Sequence, residues 1–191
     1  MKNNFKIPVE VSARHCHLAE GDLEKLFGEG YELKKMKQLS MPSDFACEET
    51  VAVKCGARIL ENVRIVGPTR GQTQVEISRT DAFALGVNPP LRLSGDLNGT
   101  SPITLVGPKG VVELAEGLIV ALRHIHCATS EADKLGIKNG DKIAVKVEGE
   151  RSVVFENIPV RIKDDYKLCL HLDTDEGNAA GINKIGEGKI L

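Results

Sequence analysis

The tetrapeptide Arg14-His15-Cys16-His17 recurs as Arg123-His124-Ile125-His126, and each copy follows an apolar strand pattern and precedes a short helical pattern that ends in glycine. A local motif repeated with its flanking elements points to duplicated structural units. The chain has 191 residues, enough for two small domains or a single large one. Two related small domains are therefore the simplest architecture.

The strand signals agree with that reading. Phe5, Ile7, Val9 and Val11 alternate with polar residues or proline, the period of a half-buried strand, and Pro8 places it at an edge or a strand start. After the first motif, Leu23, Leu26 and Phe27 share one face of a short helix that Gly28 closes. Residues 30–50 are weakly patterned and read as an excursion. Strands are expected over 51–55, 59–66, 74–78, 91–93, 103–106, 111–114 and 118–122, then over 142–147, 152–155, 158–162 and 166–172. Leu85-Gly86-Val87, Leu135-Gly136-Ile137 and Ala180-Gly181-Ile182 close three further helices alike. Aromatic residues make up 4% of the chain with no Trp, so Val, Ile and Leu must fill the core, which favours sheet. Regular short strands with turn signals between them suggest barrels or sandwiches, not a doubly wound parallel sheet.

Composition excludes several classes. With 25 Lys+Arg against 27 Asp+Glu there is no basic surface to displace counterions, so nucleic acid is not an expected partner. No apolar run is long enough to span a bilayer, and Met1 to Phe5 is too short and polar for a signal peptide, so no membrane contact and a cytoplasmic location are expected. The five cysteines are odd in number and lack Cys-x-x-Cys spacing, which argues against a disulfide framework or a thiolate zinc ribbon.

The histidines carry the chemical signal. His15, His17, His124, His126 and His171 all lie either in a repeated pair or in an alternating strand pattern. Strand residues i and i+2 face the same way, so each pair can offer two imidazoles to one metal, whereas a single pair alone could equally be a solvated strand face. Five imidazoles exceed what one zinc takes, so two ions are plausible. Glu76 lies opposite the apolar Val75 and Ile77 and could be a ligand; Asp173 and Glu113 are further candidates. Arg70, in the turn-rich loop 67–73, offers a planar fork of donors suited to phosphate or carboxylate. Short helices after the candidate ligand segments add a generic anion cue from their N-termini.

Val11-Ser12-Ala13-Arg14-His15-Cys16-His17-Leu18, then Gly67-Pro68-Thr69-Arg70 with Val75-Glu76-Ile77-Ser78, then Arg123-His124-Ile125-His126, then His171 before Asp173, together resemble the PduL-type phosphate propanoyltransferase (phosphotransacylase) family over nearly the whole chain. The resemblance implies a mainly β fold of two small β-barrels capped by short α-helices, permuted so that the N-terminal strand joins the C-terminal barrel. The domains would be 14–121, with an excursion at 28–50, and 1–13 plus 122–191. It implies transfer of a propanoyl or acetyl group between coenzyme A and inorganic phosphate, giving acyl phosphate, with two divalent ions of the zinc type. His15, His17 and Glu76 would hold one ion, which also meets the coenzyme sulfur, and His124, His126 and His171 the other. Arg70 would be catalytic and bind phosphate, while Ser12, Arg64, Phe83 and Asn178 would contact coenzyme A; from periodicity alone Phe83 reads as helix core. Members housed in bacterial microcompartments carry an amphipathic N-terminal extension, whereas here the residues before the first histidine pair already read as a strand, so a shell partner is not expected. A homo-oligomer is left open.

Three alternatives stand beside that reading. A binuclear hydrolase would use water in place of phosphate. A non-catalytic protein would use the metals only as staples. A covalent route would pass through Cys16 or Cys127, although in a strand Cys16 points away from His15 and His17.

Overall fold

The computed structural model describes residues 5–191; Met1–Asn4, on which most of the signal-peptide argument rests, lie outside the described residues. In chain order the elements are β1 (Lys6–Ser12), β2 (His15–His17), α1 (Glu20–Phe27), β3 (Lys35–Gln38), β4 (Phe45–Cys55), β5 (Arg58–Gly67), β6 (Gln74–Ile77), α2 (Arg79–Leu85), β7 (Leu91–Arg92), β8 (Ser101–Val106) and β9 (Val111–Ala121). There follow β10 (His124–Cys127), α3 (Thr129–Leu135), β11 (Lys142–Val147), β12 (Val153–Ile162), β13 (Cys169–Asp173), α4 (Thr174–Ala180) and β14 (Ile185–Ile190). Among the described residues no helix is long and apolar enough to cross a membrane.

The chain divides into two compact units, one formed by Arg14–Ala121 and the other by Leu122–Leu191 together with the described residues up to Ala13. In the first unit β4, β5, β2, β6, β9 and β8 close into a ring, because β8 pairs with both β9 and β4. In the second, β1, β13, β10, β12, β11 and β14 form a closed barrel. Each ring surrounds its own aliphatic core, around Val53, Val63, Ile65, Leu105 and Leu118 in the first and Ile7, Val9, Ile125, Ile158 and Leu170 in the second, all fully buried. Burial of branched aliphatic side chains is the main drive for a sheet this poor in aromatic residues.

The two rings have matching connectivity. β2 runs parallel to β5 and antiparallel to β6, as β10 does to β12 and β13. β6 then pairs parallel with β9, as β13 does with β1. The N-terminal strand thus fills in the second ring the place that β9 fills in the first. Each histidine strand is entered from a strand of the other ring, β2 from β1 and β10 from β9.

Several elements differ from the sequence expectation. β3 pairs with the start of β4 inside the weakly patterned stretch; its four residues are all exposed, so no apolar alternation betrays it. The strands expected over 152–155 and 158–162 are one, β12 (Val153–Ile162), which continues through Asn157 at φ 57°, as β5 continues through Asn62 at φ 57°. Asn is among the few non-glycine residues that tolerate this left-handed region, so the kink reads in sequence as a break. β9 likewise runs through Gly117. β14, which contains Gly186 and Gly188, is not among the expected strands, since glycine weakens a strand signal.

The hairpin between β8 and β9 holds α1 behind the first histidine strand. The Lys109 amide donates to the Leu26 carbonyl at 3.0 Å, satisfying one of the last carbonyls of the helix. A Cβ on Gly107 would lie 2.6 Å from that same carbonyl oxygen. We expect Gly107→Ala to lower unfolding stability by about 1–3 kcal/mol through overpacking. Gly21→Ala, in the open first turn of α1 with nothing within 4 Å of the new methyl, should raise it by about 0.4–1 kcal/mol. Urea titrations followed by circular dichroism would check both signs.

Candidate functional site

In the first unit the antiparallel register of β2 and β6 sets His15 opposite Glu76 and His17 opposite Gln74. The alternation that buries Cys16, Val75 and Ile77 in the core turns His15, His17 and Glu76 to the other face. There the His15 Nε2 lies 3.7 Å and the His17 Nε2 3.9 Å from Glu76 Oε1. These separations are too long for hydrogen bonds and near the ~3.4 Å that two ligands of a tetrahedral zinc keep between them. Donor atoms of the three residues all lie within 4.8 Å of one another.

The surroundings fix their orientation. His17 Nδ1 lies 2.9 Å from the Val66 carbonyl. A carbonyl only accepts, so Nδ1 carries the proton and Nε2 presents a lone pair toward Glu76. The buried Gln74 amide donates to Glu76 Oε1 at 2.6 Å and to Ser94 Oγ at 2.7 Å, while its oxygen accepts from the Gly95 amide at 3.0 Å. Arg70 donates to the same Ser94 hydroxyl at 3.1 Å. Its backbone amide is anchored on the Leu18 carbonyl at 2.8 Å, and its guanidinium meets Asp44 at 3.4 Å. Arg70 and Glu76 are therefore joined through Ser94 and Gln74.

In the second unit β10 and β13 repeat the register, with His124 opposite His171. The ring centroids of His124 and His126 are 4.5 Å apart, those of His126 and His171 4.9 Å, and those of His124 and His171 5.3 Å. His124 Nδ1 lies 3.0 Å from the Leu122 carbonyl, which by the same argument leaves its Nε2 as the donor. The Tyr166 ring lies tilted by 33° against that of His126, at 4.0 Å between centroids. Glu10 and Cys169 also bring donor atoms within 4.8 Å of His171 and of each other.

The structure thus brings together His15, His17 and Glu76 in one unit and His124, His126 and His171 in the other. The two remaining acidic candidates do not join them. Asp173 caps α4, accepting from the Glu176 amide at 2.8 Å, and Glu113 is exposed on β9. Helix N-termini are a poorer anion cue than the sequence suggests, because each carries an acid in its first turn, and in α2 and α4 the third amide is already capped by Ser78 or Asp173. Arg64 neighbours His15 in parallel register and donates to the Cys47 and Glu48 carbonyls. Phe83 is not core but 84% exposed on α2; Ser12 ends β1, and Asn178 is exposed on α4. Sequence reading missed Gln74, Ser94, Asp44 and Tyr166, which carry no motif and matter only through contacts made in the fold.

Burial controls the titrating groups. Burial, reinforced by His15 and Arg70, lowers the His17 pKa to about 3, and burial with His124 and His171 lowers that of His126 to about 2. Both imidazoles are neutral at physiological pH, as a metal ligand must be. Burial pushes the thiols the opposite way, Cys127 to about 11 and Cys16 further still, so neither is a ready nucleophile.

A mainly β protein of two closed rings, each with an imidazole cluster on its histidine strand, is the class that this fold and site define. The phosphate propanoyltransferase family model matches residues 8–183, and the chain belongs to that family. It is similar to the phosphate propanoyltransferase of Lachnoclostridium phytofermentans, 50% identical over 100% of this chain and 88% of the relative. The protein of that name from Thermotoga maritima is 50% identical over 93% of this chain and 85% of its own length. That from Priestia megaterium is 47% identical over 100% and 87%. The chain is a phosphate acyltransferase, an enzyme of the phosphotransacylase type, which sets aside the hydrolase and the metal-stapled, non-catalytic readings.

The depressed histidines fix a sign for the metal-free protein. Their folded pKa values lie below the unfolded ~6.5, so the unfolded chain binds more protons and stability falls as pH drops from about 6.5 toward 3, by up to about 1.4 kcal/mol per pH unit for each. Asp173, raised by burial to about 6, opposes this with one proton between its ordinary value and 6. Two imidazoles outweigh one carboxyl, so the metal-free protein should melt progressively lower from pH 6.5 to 4, and His17→Asn with His126→Asn should flatten the profile in a thermal scan.

Proposed function

We propose that this enzyme exchanges a short acyl group, propanoyl or acetyl, between coenzyme A and inorganic phosphate, with phosphate attacking the thioester carbon directly and divalent ions of the zinc type held by the two clusters. The observation that supports this best is the continuity in the first unit from the phosphate-suited Arg70, through Ser94 and Gln74, to the carboxylate of the His15–His17–Glu76 set. The donor chemistry fits such ions: imidazole nitrogens oriented by carbonyl acceptors, with one carboxylate. His15, His17 and Glu76 would hold one ion, and His124, His126 and His171 the other. When bound, these ions supply positive charge that stabilises a thiolate and polarises a neighbouring oxygen.

The chain's own residues do the rest. Arg70 offers a forked donor pair to the phosphate dianion and aims one oxygen at the thioester carbon, replacing a random encounter by a positioned one. The oxygen–carbon bond forms, the carbon–sulfur bond breaks, and the electron pair leaves on sulfur. The products are acyl phosphate and the coenzyme thiolate. Arg64, beside His15, and the exposed ring of Phe83 are suited to the coenzyme's phosphates and adenine, with Ser12 and Asn178 as further contacts. Direct attack is favoured over an acyl-cysteine because Cys16 and Cys127 are buried in the cores with raised pKa values. All five cysteines are free thiols, in keeping with a reducing cytoplasm.

A coupled assay of acyl-phosphate formation from acetyl-, propanoyl- and butanoyl-coenzyme A tests the reading. Activity should vanish on verified removal of metal and return with zinc. Arg70→Ala should raise KM for phosphate about 10–100-fold, the loss of a charge-assisted contact of roughly 1.5–3 kcal/mol, with a much smaller effect on KM for the thioester. Full turnover in demetallated protein would overturn the metal assignment, and an unchanged phosphate KM in Arg70→Ala would overturn that of Arg70.

A further inference from the structure

Arg14 and Arg123 head the two histidine motifs, and neither faces a substrate in the mechanism above. Each instead reaches the helix that follows the third donor of its own cluster. Arg14 binds Asp81 Oδ1 at 2.8 Å. Asp81 is the third residue of α2, and its other oxygen accepts from the Ser78 amide at 3.3 Å while Ser78 Oγ accepts from the Asp81 amide at 3.2 Å. Arg123 binds Glu176 Oε1 at 2.5 Å. Glu176 is the third residue of α4, and it exchanges the same two bonds with Asp173.

The spacing is identical in both units. The arginine precedes the first histidine by one residue, the acid follows the third donor by five, and the capping residue follows it by two. The carboxylate bridges the capping residue at the end of β6 or β13 to the arginine just before β2 or β10. With the strand pairs His15–Glu76 and His124–His171 it closes a small ring around the donors. One oxygen of the acid is committed to the cap and the other to the guanidinium, so the strand carrying the third donor cannot shift along the histidine strand without breaking an ion pair and a cap together.

We propose that Arg14 and Arg123 are positioning residues, each locking Glu76 or His171 in register with its histidine pair and thereby setting the ion affinity of its own cluster alone. This rests on the metal reading above. Two different acids, Asp81 and Glu176, make the contact from equivalent positions, so the shared element is the guanidinium-to-cap geometry. A purely structural pair would change melting temperature and leave ion binding as it was.

The test is metal binding, separate from activity. Wild-type protein and the variants Arg14→Gln and Arg123→Gln are demetallated and titrated with zinc against a competing chelating indicator, alone and in His17→Ala and His126→Ala backgrounds. Wild type should bind two ions. Arg14→Gln should weaken one of them about 10–100-fold, the size of effect seen for groups that orient ligands. It should have no further effect in the His17→Ala background and its full effect in the His126→Ala background. Arg123→Gln should show the converse. Should either arginine variant fail to fold, Asp81→Asn or Glu176→Gln removes the same contact from its other end and carries the same expectation. An arginine variant that binds both ions with wild-type affinity, or weakens both equally, overturns the proposal and leaves the metal reading standing. Wild type that binds no zinc overturns both.

Discussion

The pairing of each histidine strand with the strand that carries its third donor is the contact on which the site depends. Because β2 and β6 run antiparallel with His15 opposite Glu76, and β10 and β13 with His124 opposite His171, three donors meet without any loop being asked to hold them. A slip of one residue would send one side of each set into the core and bring Val75 or Ile77, or Leu170 or Leu172, to the outer face. The apolar cores therefore enforce the donor geometry: burial of Cys16 and Ile125 fixes which way their flanking histidines point. Stability and site geometry are here one constraint.

The duplication gives the two units the same solution with different parts. β5 and β12 each bend at an asparagine with positive φ, α2 and α4 each begin with a capping box, and an arginine closes each ring of contacts. The exchange of β1 and β9 ties the duplication together in sequence. Each histidine motif is the point where the chain passes from one ring into the other, so the first donor of each set lies within three residues of a strand that belongs elsewhere.

Much of this was legible in the sequence because it depends on periodicity. The repeated Arg-His-x-His, the alternation around Glu76 and the glycine-closed helices are local patterns, and the histidines and Glu76 do lie on strands. What stayed hidden has a physical reason in each case. The exposed β3 has no buried face to generate alternation, and β14 uses glycines where the sheet has no room for a Cβ: one on Gly188 would meet Val145 at 2.5 Å. Gln74 and Ser94 become part of the site only when the loop after β7 folds back over β6. The exchanged N-terminal strand is a long-range pairing that no local pattern encodes, and only the family resemblance suggested it.

The two donor sets differ by one unit of charge, and on the proposed reading that difference divides the work. Three imidazole ligands would leave a divalent ion its full charge, which suits a dianionic oxygen ligand such as phosphate. Glu76 would cancel one unit in the other set, so that a singly charged thiolate would be held less tightly there. Arg70 lies in that same unit, linked to Glu76 through Ser94 and Gln74 and partly neutralised by Asp44. An anion reaching Arg70 must compete with the Asp44 carboxylate for the guanidinium, and a dianion competes better than a monoanion at equal distance because Coulomb energy scales with charge. On that reading the Arg70 guanidinium is what favours phosphate over singly charged anions, while the Asp44 carboxylate weakens its hold on either.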